Sequence, residues 1–183
     1  MSRALTAKKI IVEIIRQAGS SLAGTTRVYK AFYLAHLYFA DREPGYLSDW
    51  PIVCMPNGPG IDEGDELLHE LVVAGVLRTE QQPVGPYTAT VYKLTGKELP
   101  GDPLPEAAVA AIREAAGFVK GHTAAQLSDL THEYSRSWKK AENGSEMNVY
   151  VDLIPDEEFQ ERKRQLELLR HEVAQAVRAR ESA

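Results

Sequence analysis

Cysteine is nearly absent from this chain of 183 residues, which contains only Cys54. A single thiol excludes an intrachain disulfide and a cysteine-based zinc site, and such usage is typical of a reducing compartment. Long apolar runs are also missing. No segment approaches the roughly 20 apolar residues of a membrane-spanning helix, and the N-terminal segment has no signal-peptide cleavage pattern. We therefore expect a soluble cytoplasmic protein without a membrane partner.

An excess of positive charge is lacking too. The chain carries 21 lysines and arginines against 26 acidic residues, which gives a formal net charge of −5. A chain without an overall positive field does not attract the phosphate backbone of nucleic acid. Nucleic acid is therefore not an expected partner.

The motifs of common catalytic sites are missing as well. HExxH, GxSxG and paired cysteines do not occur, and the histidines stand apart from any spaced nucleophile. His132 is followed by Glu133, but adjacent residues of a helix point in different directions. We expect His132 to be a buried histidine bonded to a backbone group. The prediction is a protein that is not an enzyme, with no catalytic residues, no cofactor and no metal.

The hydrophobic pattern predicts a mainly α (α+β) domain. The predicted helices cover residues 8–18, 25–40, 62–74, 105–121, a short segment from 123, 135–142 and 155–183. The segments VLRTEQQ, PVGPY and TATVYKLT are typical of a strand, a turn and a strand, so we expect a hairpin over residues 76–95. One short strand is predicted around residues 52–54, and NVYVDLIP is predicted to be extended. Helices followed by a hairpin give a winged-helix-like outline.

Two parts of the chain are predicted: a compact helical domain over residues 1–154 and a C-terminal amphipathic helix over residues 155–183. The C-terminal helix carries a narrow apolar stripe of Phe159, Leu166, Leu169, Val173 and Val177. This stripe is too short to predict a coiled coil. The helix is expected to fold back on the domain, to pair with a second copy in a homodimer or to bind a partner, and folding back is the favoured interpretation.

Five acidic residues surround the start of the third helix: Asp62, Glu63, Asp65, Glu66 and Glu70. The preceding glycines do not form a phosphate loop, because GPGIDEG has a glutamate where GxGxxG has its third glycine. The same helix occupies the place of a recognition helix, yet residues 43–77 contain seven acidic residues and no lysine or arginine, a balance that repels DNA. We expect these acids to bind a basic protein.

Three short motifs give the chain a resemblance to a known family. They are KAFYLAH at residues 30–36, the pair Gly58 and Pro59, and LSDLTHEYSRSW at residues 127–138. In their order and spacing they resemble the Panacea domain, the SocA-like antitoxin family, whose motifs are a lysine before a YxA segment, a GPV turn and an LTH triplet followed by a tryptophan. The chain departs from that pattern where Gly60 replaces the valine, where Cys54 and Met55 replace an alanine and a tryptophan, and where Ser137 replaces a proline.

The resemblance implies a helical antitoxin without enzymatic activity. Members of the family are often encoded beside a toxin and neutralise it by direct binding, related domains occur in phage-associated proteins, and some hand a partner to a protease. The resemblance also implies scaffold roles for Lys30, Tyr33, Gly58, Pro59, Thr131, His132 and Trp138. For Lys30, an ion pair with a carboxylate is the favoured interpretation. The hairpin and the C-terminal helix are expected to be elaborations that carry partner choice.

The functional prediction is a protein-binding module that neutralises a cognate toxin sterically, through the five acids or the C-terminal helix. The alternative is a winged-helix-like regulator that binds DNA.

Overall fold

The computed structural model describes residues 3–84 and 87–181, which form helices and two small antiparallel sheets. The helices are α1 (Arg3–Gln17), α2 (Thr25–Ala40), α3 (Gly64–Val73), α4 (Glu106–Lys120), α5 (Ala124–Tyr134), α6 (Arg136–Lys140) and α7 (Asp156–Glu181). The strands are β1 (Ser21–Ala23), β2 (Ile52–Met55), β3 (Gly58–Ile61), β4 (Leu77–Val84) and β5 (Tyr87–Leu94). A 3-10 helix spans Val149–Leu153. The predicted mainly helical α+β class is confirmed.

Helix α2 lies at the centre of the core, because apolar side chains occupy most of its circumference. Four of its residues at helical spacing are fully buried: Val28, Ala31, Phe32 and Ala35. Helices α1, α4 and α5, strand β3 and the 3-10 helix all pack against α2. Helix α4 buries mainly alanines, whose small side chains allow two helices to approach closely. Truncating the Phe32 ring would cost about 3–5 kcal/mol of folding stability, because it would leave a cavity in the core.

The predicted hairpin is confirmed as β4 and β5, paired from Leu77 with Leu94 to Val84 with Tyr87. The predicted turn PVGPY covers residues 83–87, but residues 83, 84 and 87 belong to the strands, and residues 85–86 lie outside the described residues. Strand β1 adds to the other edge of β5, so the sheet order is β1-β5-β4. Strand β1 lies between α1 and α2 along the chain, and the hairpin follows α3, which together give the winged-helix-like outline.

Two segments before the hairpin differ from the prediction. The proline-rich segment contains two strands rather than one, because Met55 pairs with Gly58 across the two-residue turn of Pro56 and Asn57. Gly58 and Pro59 therefore begin β3 instead of forming the turn. Helix α3 starts at Gly64 rather than at residue 62, since Glu63 adopts a left-handed conformation with φ 49°.

The segment NVYVDLIP was predicted to be extended, and its centre is instead a 3-10 helix. Tertiary contacts decide its conformation. Val149 is buried in the core, and Asp152 turns inward to accept hydrogen bonds from α2 and from the start of α6. An extended backbone would have placed successive side chains on opposite faces.

Helix α7 contacts the rest of the molecule through its first turn. Arg136 forms an ion pair with Asp156, and the cations of Arg136 and Lys140 lie 4.9 and 4.1 Å from the centroid of the Phe159 ring. Beyond Phe159 the described side chains up to Arg170 are exposed, including Leu166, Leu168 and Leu169. The expectation that this helix folds back on the domain is therefore wrong for that part.

The middle of α7 is stabilised by ion pairs within the helix rather than by packing on a core. Arg162 pairs with Glu158, and Arg164 pairs with Glu161, at spacings that stabilise an exposed helix. The side chains of Val173 and Val177, which complete the predicted stripe, lie outside those that the structure describes. Among the described helices, none is long and apolar enough to cross a membrane.

Candidate functional site

Lys30 lies deep in the core with 2% of its surface exposed. Its Nζ donates a hydrogen bond of 3.0 Å to the carbonyl oxygen of Pro59. The expected ion pair with a carboxylate is wrong, because the partner is a neutral carbonyl. Burial without a counter-charge lowers the pKa of the Lys30 amine to about 7. The lysine therefore ties α2 to β3 at an electrostatic cost.

Gly58 marks the closest approach among the three motifs. Its φ of +99° is in the region that favours glycine, and a Cβ there would overlap Thr131 Oγ1 and lie 2.5 Å from Lys30 Nζ. The Thr131 hydroxyl bonds back to the carbonyl oxygens of Leu127 and Ser128 in its own helix, at 3.1 and 3.0 Å. Only a residue without a side chain fits between α2 and α5 at this point.

His132 and Trp138 form a stacked pair with ring centroids 4.0 Å apart and an interplanar angle of 14°. Trp138 Nε1 donates a hydrogen bond of 2.8 Å to the carbonyl oxygen of Met55. His132 Nε2 is buried without a hydrogen-bond partner, so the expected bond to a backbone group is wrong for this atom. Stacking on the indole, rather than hydrogen bonding through Nε2, holds the imidazole.

Tyr33 belongs to the first motif but points to a different partner. Its hydroxyl donates a hydrogen bond of 2.7 Å to Asp152 Oδ2. The hydroxyls of Ser135 and Ser137 donate to the same oxygen at 2.8 and 2.7 Å, and the Ser137 amide donates to Oδ1 at 2.8 Å. Burial, and then the negative charge of Asp152, raise the pKa of Tyr33. Asp152 was missed in the sequence, although an acid inside the apolar run VYVDL was a signal for it.

The structure thus brings the three motifs together through contacts between their residues. We call the set Lys30, Gly58, Pro59, Thr131, His132 and Trp138 the motif cluster. Its contacts are directed into the protein, which agrees with a scaffold role. Within residues 3–84 and 87–181, no group of three or more histidine, cysteine or acidic residues could hold a metal ion.

The five predicted acids form a surface that is only partly free. We call Asp62, Glu63, Asp65, Glu66 and Glu70 the acidic surface. Asp62 is half-buried and the other four are exposed. Glu70 pairs with Lys8, and Asp65 accepts a hydrogen bond of 2.7 Å from the Tyr29 hydroxyl.

Two acids therefore remain available to a partner on the exposed part of this surface, Glu63 and Glu66, for which the described residues provide no salt bridge. Val73 ends the same helix with 73% of its surface exposed. Exposed acids at the start of α3 and an exposed apolar side chain at its end together provide a suitable contact for a basic protein.

A second site was not predicted from the sequence. His36 Nε2 lies 2.9 Å from Ser48 Oγ, and both residues line a cavity of about 640 Å³. Ser48 lies twelve positions after His36, in the loop between α2 and β2, and no spacing rule joins the two. The sequence does not predict this pairing, because it depends on the path of the loop between the two residues.

A scan against protein-family models, a search of curated proteins and a search of solved structures each found nothing that matches this chain. The resemblance to the Panacea domain therefore rests on the motif residues themselves.

Proposed function

We propose that this protein is an antitoxin-like binding module that neutralises a cognate protein toxin by direct contact. The observation that carries the proposal is the motif cluster. Motif residues from three separate segments of the chain meet in contacts that depend on residue type, such as a glycine too crowded for any Cβ. Such convergence is expected of a shared scaffold, and it supports the resemblance from which the antitoxin function follows.

The acidic surface is the part of the molecule that best suits a basic toxin. Complementary charge accelerates the encounter of two proteins, and an apolar anchor such as Val73 then slows their separation. A toxin whose active surface binds a phosphorylated or nucleic-acid substrate carries positive charge there. An acidic partner would cover that surface sterically.

The exposed middle of α7 is the second candidate surface. Leu166, Leu168 and Leu169 are each about half exposed on a helix that leaves the domain after its first turn. A toxin or a second copy of the chain would bury these leucines. Light scattering of the purified protein separates the two, because a homodimer forms without a toxin and an interface with the toxin does not.

The functional experiment is growth of cells that express the neighbouring open reading frame, with and without this protein. Relief of toxicity, together with copurification of the two proteins, is the expected result. A toxic neighbour that this protein neither binds nor relieves would refute the assignment of that pair. Degradation of the toxin only when a cellular protease is present would indicate the protease-adaptor role instead.

The contact surface is tested with a charge-reversed double variant, Glu63→Lys with Glu66→Lys. These two acids have no described intramolecular ion pair, so the domain should remain folded. The association rate with the toxin at low salt should fall by about tenfold or more, because electrostatic steering contributes factors of this size. The matched control reverses two exposed acids elsewhere, Asp129→Lys with Glu142→Lys. Equal association rates for both variants would exclude the acidic surface.

A DNA-binding regulator is the second candidate, favoured by a hairpin that follows α3 and pairs with β1 in the order β1-β5-β4. The acidic residues on and before α3 oppose it, since a recognition helix normally presents arginine or lysine to the duplex. Fluorescence anisotropy with the promoter of its own operon tests this candidate. Affinity that falls steeply with salt would support it, and no binding at low salt would eliminate it.

A further inference from the structure

Ser48 and His36 meet at the edge of a cavity that the antitoxin proposal does not use. His36 comes from the buried side of α2 and is 1% exposed, whereas Ser48 is half-buried in the loop that precedes β2. Both side chains line the cavity of about 640 Å³, and Ser48 is the more exposed of the two. A molecule in the cavity can approach Ser48 more easily than His36.

The hydrogen bonds fix which imidazole nitrogen carries the proton. His36 Nδ1 lies 2.8 Å from the carbonyl oxygen of Phe32, which can only accept, so Nδ1 is the donor. In the neutral ring Nε2 is then an acceptor, and Ser48 Oγ donates its proton to it across 2.9 Å. Burial lowers the pKa of His36 to about 4, so the ring is neutral at pH 7. A nucleophile, a base and a group that orients the base are thus in sequence.

We propose that Ser48 is a nucleophile activated by His36, and that the site transfers or hydrolyses small acyl groups. Ser48 Oγ attacks the carbonyl carbon of an ester, and its proton passes to His36 Nε2. The ester C–O bond then breaks, and the departing alkoxide takes the proton from His36 and leaves as an alcohol. Water, deprotonated in turn by His36, releases the acyl group as a carboxylic acid and restores Ser48.

The walls of the cavity indicate the class of substrate. Tyr46 is 70% exposed and packs on Tyr150 with ring centroids 4.8 Å apart, so two aromatic faces are available to an acyl or amine group. The charged and titratable groups that line the same cavity are Arg3, Tyr46, Asp49, Glu146 and Tyr150.

Arg3 is occupied by an ion pair with Asp49 at 3.0 Å, whereas Glu146 is exposed and has no salt bridge within the described residues. Aromatic rings beside an unpaired carboxylate favour cations. The site therefore suits uncharged or cationic esters and disfavours anionic ones.

The test uses an alkyl fluorophosphonate as the probe and the full-length protein at pH 7.5. Attack by Ser48 forms an Oγ–P bond and breaks the P–F bond, with fluoride leaving and the proton passing through His36 to solvent. Intact mass should increase by one phosphonyl group, and peptide mapping should place it on Ser48. Ser48→Ala should abolish the adduct. Ser145→Ala should retain it, because the hydroxyl of the half-buried Ser145 donates to the backbone carbonyl of Glu142 and not to an imidazole.

The role of His36 is tested separately with His36→Gln, which should slow labelling by at least about 100-fold, a typical contribution of a general base. His122→Gln is its matched control, because His122 makes the same Nδ1 contact of 2.8 Å to the carbonyl four residues earlier. If His36→Gln unfolds, the comparison of Ser48 labelling in native and urea-unfolded wild-type protein decides the question. No excess of native labelling on Ser48 would overturn the proposal.

Hydrolysis of p-nitrophenyl acetate, measured against an ester of similar size that carries a carboxylate, tests the substrate class. The uncharged ester should react at least about tenfold faster, in line with the magnitude of electrostatic steering. Equal rates, or a preference for the anionic ester, would refute the assignment of substrate class. Both outcomes are independent of toxin binding, so the antitoxin proposal can fail while this one holds.

Discussion

Replacing Lys30 by methionine should flatten the dependence of stability on pH. Burial lowers the pKa of the Lys30 amine from 10.5 to about 7 in the folded chain. Between these two values the unfolded chain binds more protons than the folded chain, so the free energy of unfolding rises with pH. From pH 7 to pH 9 this one group should contribute a rise of about 2 kcal/mol, and the whole window should contribute about 4 kcal/mol.

Urea denaturation at pH 7, 8 and 9, followed by far-UV circular dichroism, measures this contribution as a difference between two proteins. Wild-type stability minus Lys30→Met stability should increase by about 2 kcal/mol across the series, because other titrating groups are common to both. The control is Lys97→Met, since the exposed Lys97 also donates to a backbone carbonyl, that of Ala74, at 2.8 Å. Parallel curves for wild type and Lys30→Met would refute the argument that the amine is desolvated.

Three further substitutions test the motif contacts, each by urea denaturation. Gly58→Ala should lower the free energy of unfolding by about 3 kcal/mol or more. Gly96→Ala should lower it by about 1 kcal/mol, because Gly96 has a φ of +93° but nothing within 4 Å of its Cβ. Equal losses would show that neighbouring side chains move away from a Cβ at residue 58. Trp138→Phe should lower the free energy of unfolding by about 1–3 kcal/mol, because the Met55 carbonyl loses its indole donor. An unchanged free energy of unfolding would exclude that hydrogen bond as a stabilising contact. Asp152→Asn should cost about 2–3 kcal/mol, since three hydroxyls and one amide lose a charged acceptor, and an unchanged midpoint would contradict this role.

The sequence predicted those elements whose signals are local. The helical spacing of α1 and α2 and the strand pattern on both sides of PVGPY appear in the structure. Each depends on residues that are near one another along the chain, so one sequence suffices to identify it.

The features that could not be predicted depend on residues distant along the chain. The 3-10 helix forms because Asp152 accepts hydrogen bonds from Tyr33 in α2 and from Ser137 in α6. Local sequence propensity contains no information about these two distant partners. The bond between His36 and Ser48 depends on the path of a loop rich in turn residues. Helix α7 has an apolar stripe, yet whether a stripe meets a core depends on where the core lies, and the structure leaves its leucines exposed.

The arrangement of the molecule separates residues that determine stability from those that are free to bind. Trp138 and its neighbours in the motif cluster make their contacts within the protein, whereas Glu63, Glu66 and Val73 make no comparable contacts with the part of the chain that the structure describes. Under the proposed function, Trp138→Phe should therefore lower the free energy of unfolding but leave toxin affinity unchanged at temperatures where the domain is folded. Charge reversal at Glu63 and Glu66 should lower toxin affinity and leave the free energy of unfolding unchanged. A scaffold of this kind can keep its fold while its acidic surface changes to suit another toxin, because the two sets of residues share few contacts.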